Sequence, residues 1–265
     1  ATKNNSLSPW WPWITALRVL YGIPVTTPRG RRLVEQCTGR NPDKLPRDGF
    51  RTALFLTGRR SGKSRIAAVI AAFEGALAGR HVHLDIGEQG LVPVVTPTKK
   101  QGNNVKNYCR GIFDVPMLAR EVTSNRVNDY FQLSNNVRVD ILSGDFRHVR
   151  GFTLLAVVVD EICFFGQEDY RLKSDTELVR ALEPGLATTG GKLIAISSPY
   201  SRKGFAWQTY KKNFGNDRSD VLVWNAPSRV MNPTLSQAFV DKKLKEDYQA
   251  AKSEYLGEFR DDVAI

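Results

Sequence analysis

Apolar and polar positions along the chain switch between two periods, and the switches mark its elements. Ala53-Leu54-Phe55-Leu56 is an unbroken apolar run, as expected of a short strand buried on both faces. A polar, glycine-bearing turn follows, and then apolar residues at Ile66, Val69, Ile70, Phe73 and Leu77, one face of a helix that begins at Lys63. His81-Val82-His83-Leu84-Asp85 and Leu91 to Thr96 both read as strands, and a polar, basic loop, Thr96 to Gln101, precedes a helical stretch to about Phe113. Residues 121–142 alternate around Asn135-Asn136, which predicts a β-hairpin inserted in an α/β body. Leu154 to Val159 is apolar without alternation and ends on Asp160-Glu161. Ser174-Asp175-Thr176-Glu177 is a capping box opening a helix expected to stop before Pro184-Gly185. Lys192 to Pro199 is a third buried strand, Val221 to Trp224 another, and Thr234-Leu235-Ser236-Gln237 opens a last helix. Residues 1–50 read as irregular apart from a short helix over Arg31 to Gln36, and Tyr255 to Asp262 reads as a connector. The alternation of strands and helices predicts an α/β fold with a mainly parallel central sheet flanked by helices. Three parts are expected: an N-terminal arm or lid (1–50), a core (51–228) with the hairpin insertion, and a C-terminal helical subdomain with its connector (229–265).

Composition bounds the partners. The chain has 265 residues, enough for one large core, and a formal charge of +11. That surplus favours a polyanion, because neutralised phosphates release counterions, although a basic surface kept for solubility has the same composition. Cys37, Cys109 and Cys163 form no Cys-x-x-Cys pair, so neither a zinc ribbon nor a redox motif is suggested, and the sparse set fits a reducing compartment. No apolar stretch approaches the ~20 residues a membrane span needs, and no signal-peptide pattern opens the chain.

The turn after the first apolar run carries the chemistry. Thr57-Gly58-Arg59-Arg60-Ser61-Gly62-Lys63-Ser64 follows a strand and opens a helix, the context a phosphate-binding loop requires. Loop N–H groups and the helix N-terminus would cradle phosphates, Lys63 would reach the β- and γ-phosphates of ATP, and the Ser64 hydroxyl would ligate Mg2+. The strict pattern asks for Gly where Thr57 stands, and Gly58 is placed to take over the tight turn. Asp160 and Glu161 sit at the carboxyl end of a buried strand, where open α/β sheets hold ligands. Asp160 would hold the Mg2+ shell and Glu161 would act as general base on the attacking water. Ser197 and Ser198, at the tip of the third buried strand, either sense the γ-phosphate or simply form a turn.

Other polar groups have bland readings beside the functional ones. Trp10, Trp11 and Trp13 either stack on a base or dock the N-terminal arm as an apolar plug, and the plug is the preferred reading. The Gln36 amide has the donor and acceptor to read adenine, and a solvated glutamine reads the same. His81 and His83 on one strand face would be a surface pair lacking a third metal ligand. Lys99, Lys100, Arg202, Lys203, Lys211 and Lys212 are candidates to grip DNA, or else solvated charges.

The combination resembles the ATPase domain of the large terminase subunits of tailed bacteriophages. Four matches carry this, over roughly residues 30–262. They are the loop 58–64 with Arg59 four residues before Lys63, Arg150-Gly151 upstream of Asp160-Glu161, Ile196-Ser197-Ser198-Pro199, and Tyr255-Leu256-Gly257-Glu258-Phe259. The resemblance implies a RecA-like (ASCE-type) P-loop fold and a motor that packages double-stranded viral DNA using ATP and Mg2+. It also implies a homo-oligomeric ring, a pentamer, on the portal protein, working with the small terminase subunit in the host-cell cytoplasm, without a membrane. Within such a ring Arg150 would be an arginine finger into a neighbour's site, or Arg59 would act within its own subunit. Ser197 and Ser198 would couple hydrolysis to movement, and Gln36 falls near the family's adenine contact. Full terminases also carry a nuclease domain. Asp261 and Asp262 alone cannot build its two-metal site, so a motor without cutting activity is expected. Competing readings are another RecA-like or helicase-type ATPase acting on nucleic acid, and a non-catalytic nucleic-acid-binding module with an idle loop.

Overall fold

In the computed structural model, residues 8–124, 130–143, 149, 151–166 and 174–261 are described. Numbered in chain order, the elements run α1 (Trp11–Leu20), α2 (Pro28–Thr38), β1 (Thr52–Thr57), α3 (Lys63–Ala76), β2 (Gly90–Thr96), α4 (Lys99–Phe113) and α5 (Pro116–Ala119). Then come β3 (Val122–Ser124), β4 (Tyr130–Leu133), β5 (Val137–Ser143), β6 (Thr153–Leu154), β7 (Ala156–Asp160), α6 (Asp175–Leu186) and β8 (Lys192–Ser197). The remainder is α7 (Gly204–Asn213), β9 (Val221–Ala226), α8 (Ser228–Met231), α9 (Gln237–Glu246), α10 (Tyr248–Ala251) and a π-type turn, Lys252–Leu256. The architecture is α/β, with mostly parallel strands flanked by helices.

The chain divides into two compact units. One comprises residues 63–197 with 204–206, and the other the remainder. In the first, β7 pairs in parallel with both β2 and β8, and β2 pairs in parallel with β5. Every residue of β2, β7 and β8 is buried, which explains their continuous apolar runs. The hairpin forms around Asn136, held at φ 60°, a conformation asparagine tolerates. Its second strand, β5, is also a partner of β2, so the hairpin continues the sheet.

Helix α3 lies closer to its neighbours than the predicted stripe implies. Ile66 and Ile70 are buried together with Ala67, Ala68, Ala71 and Ala72, whereas Leu77 falls beyond the helix end and is 48% exposed. Small residues let the helix approach the sheet: a Cβ on Gly75 would lie 2.7 Å from a Val139 methyl. The strand expected at residues 81–85 is instead a 3-10 turn, Arg80–His83, entered through Gly79 at φ 73°. Val82 is 71% exposed there, so the alternation buried nothing and no shared strand face joins His81 to His83. Helix α6 also runs past Pro184 to Leu186. A proline in a last turn removes only its own N–H, and Ala187 still donates to the Pro184 carbonyl.

The other unit pairs β1 with β9 in parallel, from Thr52–Val221 to Thr57–Ala226. Its N-terminal part is not irregular. Pro12 and Pro28 occupy first-turn positions, where proline's missing N–H is harmless, and start α1 and α2. Trp13 is fully buried against Phe55, in line with a plug. The C-terminal stretch, expected as a connector, packs its aromatic side chains within this unit. Tyr255 packs with Val240 and Ala251, and Phe259 lies 4.9 Å from the Trp207 ring centroid and 5.3 Å from that of Tyr210. Cys37 and Cys109 are buried thiols, each pushed up to about 12 by desolvation.

Candidate active site

Strand β1 delivers Thr57, fully buried, to the start of the loop that ends at Gly62. Its hydroxyl lies 2.9 Å from that of Ser61 and closes the loop side chain to side chain. This is the structural use of the threonine standing where the strict pattern has glycine. Gly58 is held so closely that a Cβ would fall 2.2 Å from Ser228 Oγ. Arg60 adopts φ 63° and Gly62 φ 95°, left-handed conformations that bend the loop sharply. The Arg59 guanidinium, largely exposed, pairs with Glu254 at 2.7 Å, and the Arg59 N–H donates to the Glu254 carbonyl.

The other unit gathers the charged groups. Lys63 opens α3 with its side chain only 6% exposed and Nζ 3.7 Å from Glu161 Oε1. The Ser64 hydroxyl donates to Asp160 Oδ2 at 2.9 Å. Ser197 Oγ accepts the Cys163 N–H at 3.2 Å and lies 3.3 Å from Glu161 Oε2, to which it donates. Glu161 itself sits at φ 56°, turning its side chain out of the strand direction. Thus Lys63, Ser64, Asp160, Glu161 and Ser197 form one constellation at the carboxyl ends of adjacent parallel strands.

Its electrostatics point to a cation. Asp160 is completely buried, and burial, reinforced by the charge of Glu161, pushes its carboxyl up to about 7. Asp160 Oδ1 has no hydrogen-bond partner, which is costly for a buried carboxylate oxygen. One carboxylate and one hydroxyl, all oxygen donors, suit Mg2+, which takes its remaining ligands from phosphates and water. The described residues contain no cluster of three or more His, Cys, Asp or Glu side chains that would hold a metal by themselves.

The other predicted residues are dispersed. Gln36 is exposed on α2, as a solvated glutamine would be. Ser198, buried, donates to the Thr57 carbonyl at 3.2 Å. Arg150, like residues 144–148 of the basic loop, lies outside the described residues. Glu254 escaped the sequence reading because no motif surrounds it.

No protein-family model matches the sequence, and no curated protein is recognisably similar to it. Solved structures are. The large terminase ATPase domain of Thermus phage P74-26 superposes with a TM-score of 0.58 at 20% identity, covering 79% of this chain and 89% of that one. The large terminase of a thermophilic bacteriophage, in complex with ADP, gives 0.60 at 14% identity over 92% of this chain and 52% of that one. The fold is that of a phage large-terminase ATPase domain. The bacteriophage HK97 large terminase gives 0.59 at 16% identity, covering 89% of this chain and 51% of that one. This chain therefore spans about half the length of the HK97 terminase and of the ADP-bound one.

Proposed function

We propose that the chain is a Mg2+-dependent ATPase domain of a viral DNA-packaging motor. The observation that carries this is the buried, unpartnered Asp160 oxygen beside Ser64, Lys63 and Glu161 on a terminase fold. Lys63 and the loop N–H groups bind the β- and γ-phosphates of ATP, with Lys63 exchanging its pairing to Glu161 for the substrate. Asp160 and Ser64 would hold Mg2+, which would supply charge neutralisation for the phosphates. Glu161, steadied by Ser197, accepts a proton at its carboxylate from the attacking water. The water oxygen bonds to the γ-phosphorus as the bond to the β-phosphate oxygen breaks, leaving ADP and phosphate.

The finer reading extends to assembly. Arg150 completes a neighbour's pocket in a ring, a pentamer on the portal that also engages the small terminase subunit, with double-stranded DNA as the translocated polymer. Arg59 is the alternative cationic group, and Ser197 and Ser198 couple turnover to movement. The test is phosphate release with Mg2+ and double-stranded DNA. Glu161→Gln should keep ATPγS binding and abolish turnover, and unchanged turnover in that variant would sink the assignment. Lys63→Ala should lose binding itself.

A further inference from the structure

Three consecutive carbonyls of the phosphate loop are each held by a side chain from outside it. The Ser228 hydroxyl donates to the Arg59 carbonyl at 2.6 Å, Asn232 Nδ2 to the Arg60 carbonyl at 2.7 Å, and Trp13 Nε1 to the Ser61 carbonyl at 2.6 Å. The donors come from the first residue of α8, the residue after its end, and α1. Ser228 and Trp13 are fully buried.

The consequence follows from peptide geometry. In a trans peptide the C=O of one residue and the N–H of the next point in opposite directions, and the described chain contains no cis bond. Fixing the carbonyls of residues 59–61 against the surrounding elements therefore turns the N–H groups of Arg60, Ser61 and Gly62 the opposite way. Successive N–H groups facing one concavity form an anion nest. The packing leaves little slack: a Cβ on Gly62 would meet the Trp10 ring at 2.8 Å. A free loop with two left-handed residues would have to be ordered at the moment of binding, which costs affinity.

We infer that Trp13, Ser228 and Asn232 are positioning residues that preset the loop's N–H groups for the β- and γ-phosphates without touching nucleotide. This rests on the ATPase reading of the site. An anchor of this kind strengthens binding of ground state and transition state alike, so its loss raises KM and leaves kcat nearly unchanged.

The experiment measures ATPγS binding by calorimetry and ATP hydrolysis at steady state for wild type, Ser228→Ala, Asn232→Ala and Trp13→Phe. Each variant should weaken ATPγS binding and raise KM about three- to tenfold, with kcat within about twofold of wild type. Lys243→Ala is the control. Its ammonium pairs with Glu246 at 2.6 Å on the exposed helix α9, and its affinity should equal that of wild type. Should buried Trp13→Phe or Ser228→Ala fail to fold, partly exposed Asn232→Ala still decides. Wild-type ATPγS affinity in Asn232→Ala, or an equal loss in Lys243→Ala, overturns the inference while leaving the ATPase reading intact. Wild-type protein that binds no ATPγS overturns both.

Discussion

Glu161 is held at φ 56°, a region that costs an L-residue about 1–2 kcal/mol. The strain separates two substitutions that are otherwise alike. Glu161→Ala and Glu161→Gly both remove the carboxylate, so both should lose turnover. Glycine relieves the backbone, and Glu161→Gly should be the more stable by about 1 kcal/mol, the reverse of the usual order, as read by urea denaturation. Asp160 gives a pH signature of the nucleotide-free protein. Its folded-state pKa of about 7 lies above the ordinary value of 3.8, because burial and Glu161 disfavour the charge. The folded protein therefore binds a proton more tightly than the unfolded chain between about pH 4 and pH 7. This group's contribution to stability falls as pH rises through that window. Asp160→Asn lacks the term. Its stability in the presence of a chelator should gain on wild type from pH 4 to pH 7 and gain no more above about pH 8, measured by denaturation across pH. Both carboxylates were legible in the sequence because they end an apolar run. The left-handed turn between strand and side chain was not, since glutamate carries no preference for it.

At the scale of elements, the C-terminal stretch departs most from expectation. Its sequence, Tyr255-Leu256-Gly257-Glu258-Phe259, reads as a connector because no period links its apolar residues. In the structure the Phe259 ring is buried between Trp207 and Tyr210, partners from α7 some fifty positions earlier. Phe259→Ala should lower unfolding stability by about 3 kcal/mol, as for other buried aromatics, where a connector residue would move it by less than about 0.5 kcal/mol. Equilibrium denaturation distinguishes the two. The same limit explains residues 81–85. Alternation alone suggested a strand, but a strand exists only where a neighbour accepts its hydrogen bonds, and Gly79 turns the chain instead. By contrast β2, β7 and β8 were legible because burial on both faces leaves an unbroken apolar record.

For the whole molecule, the proposed ring makes a prediction that no single subunit can satisfy. If Arg150 serves a neighbour, subunits carrying Arg150→Ala retain an intact pocket and subunits carrying Lys63→Ala retain an intact finger. Mixing the two should restore phosphate release that neither has alone, with a finger contributing about 10³- to 10⁵-fold. Absence of complementation would place the arginine within its own subunit or outside catalysis. The charge of +11 adds that stimulation by double-stranded DNA should weaken steeply as salt is raised, which a titration of turnover against ionic strength reads. Lys99 and Lys100 remain exposed on the first turn of α4, capped by Thr98, whereas Arg202 is already paired with Asp261 at 2.7 Å.

The sequence by itself determined the strand–turn–helix around residues 57–64, the acidic end of β7 and the α/β class. Each is a local pattern: glycines and a lysine between strand and helix, a carboxylate pair after an apolar run, buried strands alternating with helices. Only the tertiary structure decided what holds the loop in shape. Glu254 meets Arg59 across 195 positions of chain, Ser228 meets the same residue's carbonyl across 169, and Asn232 meets Arg60 across 172. A serine or an asparagine carries no mark of the carbonyl it will bond. That choice belongs to the packing that brings distant backbone within hydrogen-bond reach, and packing leaves no period to read.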